Sequence, residues 1–547
     1  MPSERDPELS PTAPPTDDSA LIHWFLNARQ RTNRGTTIRP WSTGNLVTPL
    51  VHGRPYFARL CQALSDLAQG DSLQILAFRV DKDQLLAGPG TEFGELVVAA
   101  ATRGVDVHGL VWRSQPHVAE QSEPENAAFS RTVQEAGGDL LLDARTRRGG
   151  SHHQKMILTR HPSAPERDRA FVGGIDVAHS RGDDANHDGD PQVMTFPSAY
   201  GEQPPWHDVQ VEVRGPAVSD LALTFRERWE GSTPLDLPSP LRMLWDRTYH
   251  ASAMTGSDLP AALPDPPVAG QHAVQVLRTY PARWRRYPFA PLGERSIAAA
   301  YHKVLRRAHR LVYIEDQYLW SPGIARLLAK ALRGDPGLHL VAVVPRWADK
   351  EGRAAAPSLL GRERAIDICR RAGRDRFAIY DVENHAGTPV YVHAKVVVVD
   401  DVWAMVGSDN MNRRSWTHDS ELSCAVLDAT PDQRHPTDPA GLGDGARVFA
   451  RSLRLTLWRE HLDLPEDGSG DAGLLEPSEA FAAMRASAQG LADWHAGGSV
   501  GKRPPGRLRP HLPERVSRLD KAWAVPASRL LYDPDGRAVR DRLRQRR

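Results

Sequence analysis

Val392-His393-Ala394-Lys395-Val396-Val397-Val398-Val399-Asp400, with Met405-Val406-Gly407-Ser408-Asp409-Asn410 just beyond it, decides how this 547-residue chain is read. The valine run predicts a buried strand. On a strand, positions i and i+2 share a face, so His393 stands beside Lys395. The pair occurs twice. Ser151-His152-His153-Gln154-Lys155-Met156-Ile157-Leu158 holds a second His-x-Lys, and Phe171-Val172-Gly173-Gly174-Ile175-Asp176 is its small-residue turn. Arg is the default cation here, 61 residues against 8 Lys, so two lysines at equivalent places argue against chance. Glycines in such turns let the backbone approach an anion, which makes Gly174, Ser408 and Asn410 candidate anion-binding positions.

Outward from these motifs, helical and apolar strand patterns alternate. Helix 56–68 leads to strand 73–78, and a helix near 95–101 leads to strand 105–112. After the Pro-rich run Leu259-Pro-Ala-Ala-Leu-Pro-Asp-Pro-Pro267, the order returns: helix 296–308, strand 311–314, helix 323–332, strand 338–344. Ile75 to Ile314, Val111 to Val343 and His153 to His393 are nearly constant offsets, the mark of an internal repeat. The expected fold is α/β: two fused α/β halves, each a mixed sheet flanked by helices, with the active site at their interface. The expected divisions are a disordered Pro-rich tail (1–40), a first half (41–258), a linker (259–275), a second half (276–465) and a C-terminal basic extension (466–547).

Composition narrows the function classes. Basic and acidic residues balance at 69 against 68, so no global field draws the chain to nucleic acid or an anionic membrane. Three cysteines, far apart and without a CxxC pair, argue against a disulfide framework or a thiolate zinc site. The first residues are acidic and Pro-rich, and no run of about 18 apolar residues occurs, which predicts a cytoplasmic protein. Residues 501–547 hold 14 Lys and Arg against 5 Asp and Glu. That local excess is a candidate for peripheral contact with phospholipid headgroups; the plainer reading is an Arg-rich tail wrapped on the body. A monomer is expected.

The second motif resembles, residue for residue, the signature of the phospholipase D superfamily, H-x-K-x4-D followed by G-S-x-N. Pro205-Trp206-His207-Asp208-Val209 resembles a segment near the first motif in phospholipase D enzymes, and Ile314-Glu315-Asp316-Gln317-Tyr318 resembles that family's I-E-N-Q-Y-F strand end. The likeness covers about residues 50 to 465. It implies two halves packed face to face with both histidines at one phosphate. One histidine forms a covalent phosphohistidine, and the other protonates the leaving oxygen. The family pattern favours His153 as nucleophile and His393 as acid. Lys155, Lys395 and Asn410 would surround the phosphoryl oxygens, with Gln317 and the two turns binding substrate. A carboxylate is expected behind each imidazole: Asp208 behind His153, and Glu421 behind His393.

The first copy departs from the signature at Arg160, where the family has Asp. Position 160 has the opposite parity to His153 and Lys155 on a regular strand, so Arg160 and its equivalent, Asp400, are expected to be structural. His152 points to the opposite face and reads as structural too. Arg413 and Arg414 are assigned to packing of the motif, and Trp206, Trp320, Trp347 and Trp416 to core or a substrate channel. No carboxylates with metal-ligand spacing adjoin either motif, so neither a metal nor another cofactor is expected. The resemblance implies a phospholipase D-type phosphodiesterase acting on a phospholipid. The alternatives are a nuclease or other phosphodiesterase of the superfamily, a cardiolipin synthase-like transferase, and a non-catalytic lipid-binding scaffold. Nucleic acid is disfavoured as a partner because the halves lack basic bias.

Overall fold

A computed structural model describes residues 18–114, 122–230, 256–512 and 516–538. The first half builds strands β1 (Ser42–Val51), β2 (Ser72–Ala77), β3 (Asp106–Trp112), β4 (Asp139–Asp143), β5 (Met156–Arg160), β6 (Arg169–Gly173), β7 (Trp206–His207) and β8 (Val209–Arg214). Apart from β7, they form one mixed sheet in the order β1-β8-β6-β5-β2-β3-β4, parallel only at β2-β3-β4. The second half supplies β9 (His272–Tyr280), β10 (Glu294–Arg295), β11 (Leu311–Asp316), β12 (His339–Val343), β13 (Phe377–Glu383), β14 (Pro389–Val392), β15 (Lys395–Val399), β16 (Trp403–Gly407) and β17 (Glu421–Asp428). Its sheet runs β9-β17-β16-β15-β11-β12-β13, again parallel only across the last three strands.

The repeat holds at the level of register. Ile75 faces Ile157 across β2-β5, and Ile314 faces Val397 across β11-β15. The parallel strands are joined through helices that pack back on the sheet, as such crossovers require. Helices Gly53–Ser65, Phe93–Thr102 and Glu123–Glu135 cover the outer face of the first sheet. Helices Ser296–Val304, Pro322–Gly334 and Ala356–Gly373 cover that of the second. Between the sheets lie helices Ala217–Trp229 and Val448–Leu462. Their Leu221, Phe225, Leu453 and Trp458 share one core with Val172 and Val211 of the first sheet and Val396, Val406 and Cys424 of the second. All three cysteines are free.

Three expectations need correction. The tail expected over 1–40 is ordered from residue 18 onward: helix Asp18–Trp24 and the two residues after it put Leu21, Trp24, Phe25 and Leu26 into the second half's outer core. The apolar run Leu21-Ile-His-Trp-Phe-Leu26 inside a polar segment drives that docking, and residues 1–17 lie outside the described residues. The linker ends earlier than 275, because β9 starts at His272 and pairs with both β1 and β17. The C-terminal extension is also built into the body where it is described. Helix Pro477–Ala496 puts Ala480, Phe481 and Met484 into the central core, and β18 (Leu508–Pro510) adds an antiparallel strand to β13. Arg507 pairs with Asp463, and Arg503 and Arg509 with Glu383, so these arginines serve the body. Among the described residues, no helix is long and apolar enough to cross a membrane.

Candidate active site

Each His-x-Lys motif lies at a break just before a strand. Lys395 opens β15, and His393 falls between β14 and β15; Lys155 and His153 precede β5. This corrects the expectation of a continuous strand, and its cause is pairing across the halves. β14 runs parallel to β7, Tyr391 beside Trp206, so the His393 N–H donates to the His207 carbonyl at 2.7 Å. Reciprocally, the His153 N–H donates to the Ser420 carbonyl at 2.9 Å, and the Ser420 N–H to Ser151 at 3.0 Å. Each histidine is thus held by the segment of the opposite half that immediately precedes an acidic residue.

That exchange overturns the expected carboxylate assignment. Glu421 stands behind His153, its Oε2 2.9 Å from Nδ1, and Asp208 stands behind His393, its Oδ2 2.6 Å from Nδ1. The residue types were legible, but the partners are crossed because the acid follows its own half's strand while the imidazole reaches across. Both Nε2 atoms are left for chemistry. Gly174 and Ser408, expected to bind substrate, instead support these acids. A Cβ at Gly174 would overlap the Asp208 carboxylate. The Ser408 hydroxyl donates to Glu421 Oε2 at 2.6 Å and is fully buried. Arg414 pairs with Asp419, which accepts from the Ser151 N–H, and Arg413 pairs with Asp533, so both arginines belong to packing.

The lysines sit in unlike settings. Lys155 meets Asp176 at 3.1 Å, and Asp176 also accepts from the N–H groups of Phe78 and Arg79. Lys395 donates to the His393 carbonyl and faces the Gln317 amide oxygen at 3.4 Å; burial pushes its pKa down to about 8. Asn410, the counterpart of Asp176, is buried with its Oδ1 unpartnered. Its turn is anchored where Asp316 accepts from the Met411 N–H at 2.7 Å.

Burial, reinforced by the charges of Lys155 and Lys395, holds His153 well below the ordinary imidazole range. Burial and Lys395 do the same for His393. The supporting acids diverge. Burial and the nearby charge of Asp419 push Glu421 up to about 8. Burial also works to raise Asp208, but the charge and hydrogen bond of His393, with Lys395 beyond, outweigh it and hold Asp208 at about 2.

Asp400 lies just past the end of β15 at positive φ, so strand parity does not orient it; fully buried, it accepts from the N–H groups of His309, Arg310 and Leu311 at the start of β11. Arg160 occupies the corresponding place in the first half. It pairs with Asp168 at 2.6 Å and donates to the Pro264 carbonyl. Trp206 packs 5.1 Å from the His393 ring under the Arg181 guanidinium, and Trp416 stacks on Tyr301. Trp320 and Trp347 line a recess with Gln317, Tyr318, Asp349 and Tyr391. Sequence reading missed Arg181, which sits in a motif-free loop. It also missed a buried cluster of His52, His187, His207 and Glu460, whose members are too far apart in sequence to show any spacing.

Two His-x-Lys motifs meet at the junction of the halves, each completed by the other half's acid. The family model "Phospholipase D" matches residues 78–278 and 377–498, and "Cardiolipin synthase, PLD-like domain" matches 303–434. The chain belongs to the phospholipase D superfamily. It is 25% identical over 497 residues to phospholipase D alpha 1 of Vigna unguiculata, covering 70% of this chain and 60% of that protein. It is 24% identical to phospholipase D alpha 2 of Oryza sativa subsp. japonica, covering 82% and 67%. The chain therefore spans about 60% of the length of the first of these relatives. A phosphatidylserine synthase from Haemophilus influenzae shares the fold, with TM-score 0.50 and 13% identity over 81% of this chain and 94% of that one.

Proposed function

We propose that the chain is a phospholipase D-type enzyme that cleaves the headgroup phosphodiester of a glycerophospholipid through a phosphohistidine on His153. The observation that carries this reading is the crossed pair of unlike acids. Asp208 works to raise His393, although burial and Lys395 outweigh it, whereas Glu421, held near 8, gives His153 less support for a positive charge, so the two imidazoles are not interchangeable; the likeness to the family assigns the attack to His153 and the proton to His393. In the first step His153 Nε2 attacks phosphorus. The bond to the headgroup oxygen breaks, and His393 Nε2–H supplies the proton to that oxygen. In the second step water, or another alcohol, attacks phosphorus while His393 takes its proton, and the P–N bond breaks to release phosphatidate or a new phosphatidyl ester. Lys155, Lys395 and the Asn410 side chain stabilise the charge on the phosphoryl oxygens.

The deciding experiment compares choline release from phosphatidylcholine vesicles with cleavage of DNA, using His153→Ala as control and ethanol as competing acceptor. Choline release that His153→Ala abolishes is expected, with phosphatidylethanol formed when ethanol is present. DNA cleavage without choline release would replace this reading with a nuclease.

A further inference from the structure

Behind the backbone of His207, whose carbonyl accepts from the His393 N–H, three imidazoles surround one carboxylate. His52 Nε2 lies 2.6 Å from Glu460 Oε2; His187 Nε2 and His207 Nδ1 lie 2.9 and 3.1 Å from Oε1. The four donor atoms all fall within 4.8 Å of one another. The three histidines are buried and Glu460 nearly so. We propose that His52, His187, His207 and Glu460 form a closed, structural site for a divalent transition-metal ion of the zinc class, which staples the two halves together behind the active site.

The donor set has the right chemistry. Three imidazole nitrogens and one carboxylate oxygen are a set that suits zinc, and a site filled entirely by protein ligands is structural rather than hydrolytic. Tetrahedral ligation at about 2.0–2.1 Å places ligand atoms about 3.3 Å apart, so the contacts to Glu460 at 2.6, 2.9 and 3.1 Å would open slightly while the imidazole nitrogens, all within 4.8 Å of one another, draw in around the ion. The outer contacts fit as well. A metal-bound imidazole usually directs its other nitrogen to a carboxylate or carbonyl. His207 turns Nε2 to Glu315 at 2.8 Å, and His187 turns Nδ1 towards Asp183 at 3.5 Å. Glu315 is in turn held by His461 and by the Tyr313 hydroxyl. Three buried carboxylates, Asp183, Glu315 and Glu460, thus face the cluster, and a +2 ion at its centre offsets their charge. His52 and His187 also both sit at positive φ, a backbone cost that a bound ion would hold in place.

The location gives the ion its role. The His52 N–H donates to the Asp208 carbonyl at 2.8 Å, and the His207 carbonyl receives the His393 N–H. His52, His187 and His207 come from the first half, whereas Glu460 lies on helix Val448–Leu462 of the second. The ion would fix Asp208 against His393 without touching the phosphate.

The test uses the full chain. Metal content after dialysis against a weak chelator is expected to be one zinc-class ion per chain. X-ray absorption is expected to show nitrogen and oxygen ligands at about 2.0 Å without sulfur, and Co²⁺-loaded protein the visible absorption of tetrahedral cobalt. His187→Ala and Glu460→Gln should each lose the ion and lower the melting temperature, whereas His153→Ala should keep both. Wild-type protein that holds no ion, gives no cobalt spectrum and shows no melting shift with added Zn²⁺ overturns the proposal. So does an ion whose spectrum shows sulfur ligands, or one retained in His187→Ala and Glu460→Gln alike. Should both variants fail to fold, the stoichiometry and absorption spectrum of the wild type decide.

Discussion

At the scale of single residues, the active site depends on how unlike its two supporting acids are. Gly174 exists so that Asp208 can approach His393, so Gly174→Ala should push that carboxylate away. A misplacement of about 1 Å can cost about 10²-fold, and kcat is expected to fall by about that factor while the folded state survives. Steady-state kinetics with a circular dichroism control check it. His393→Ala should slow cleavage of esters with basic leaving alcohols far more than of nitrophenyl esters, because a proton donor matters most for a poor leaving group. An equal loss for both substrates would remove His393 from the acid role. Glu421 also links stability to pH. Its folded-state pKa of about 8 lies above the ordinary carboxyl range, so its contribution is fully present below that range and is lost as pH rises through about 8. Glu421→Gln lacks this loss. Its melting temperature should gain on that of the wild type between pH 5 and pH 8.5, and a gap that stays constant would show that the shift is absent.

At the scale of elements, the strand β5 shows how a motif position can change its residue and keep its function. In the second copy Asp400 caps the start of β11 by accepting three backbone N–H groups. In the first, Arg160 ends β5 and is neutralised by Asp168, which arrives on the extra loop between β5 and β6 and accepts from the His161 N–H. Neither group reaches the histidines, which is why the chemistry tolerates the exchange. Removing one partner of a buried pair leaves an uncompensated charge, a cost of about 3–5 kcal/mol. Arg160→Ala is therefore expected to lower stability by that order while its kcat, measured well below the melting temperature, stays near wild type.

At the scale of the molecule, the pairing of β14 with β7 and of Ser151 with Ser420 makes each half incomplete without the other. A chain cut between residues 258 and 259 should give two inactive fragments when each is produced alone. Activity should return when they are produced together, since each supplies the other's carboxylate. Activity in either fragment alone would contradict the crossed site. The N-terminal segment is tied in as firmly: Trp24 is buried against the second half and donates to Asp444, so Trp24→Ala should cost about 3–5 kcal/mol in chemical denaturation.

Local pattern was enough to read the order of helices and strands, the duplication near an offset of 240, and the two His-x-Lys pairs, because periodicity and a repeated motif are properties of neighbouring residues. That Asp400 and Arg160 serve packing was also legible, although the strand break and the turn at Asp400, rather than unbroken parity, set where they point. What stands behind each imidazole was beyond that reach. His153 and Glu421 are 268 residues apart, and His393 and Asp208 are 185 apart. Spacing of that length fixes no distance, and near symmetry made the wrong pairing look as good as the right one. Backbone pairing between the halves decided it, as it decided that Ser408 and Gly174 serve the acids and that four distant side chains meet around Glu460. The hydrophobic effect likewise chose the docking of residues 21–26, an apolar run whose partner only the folded second half provides.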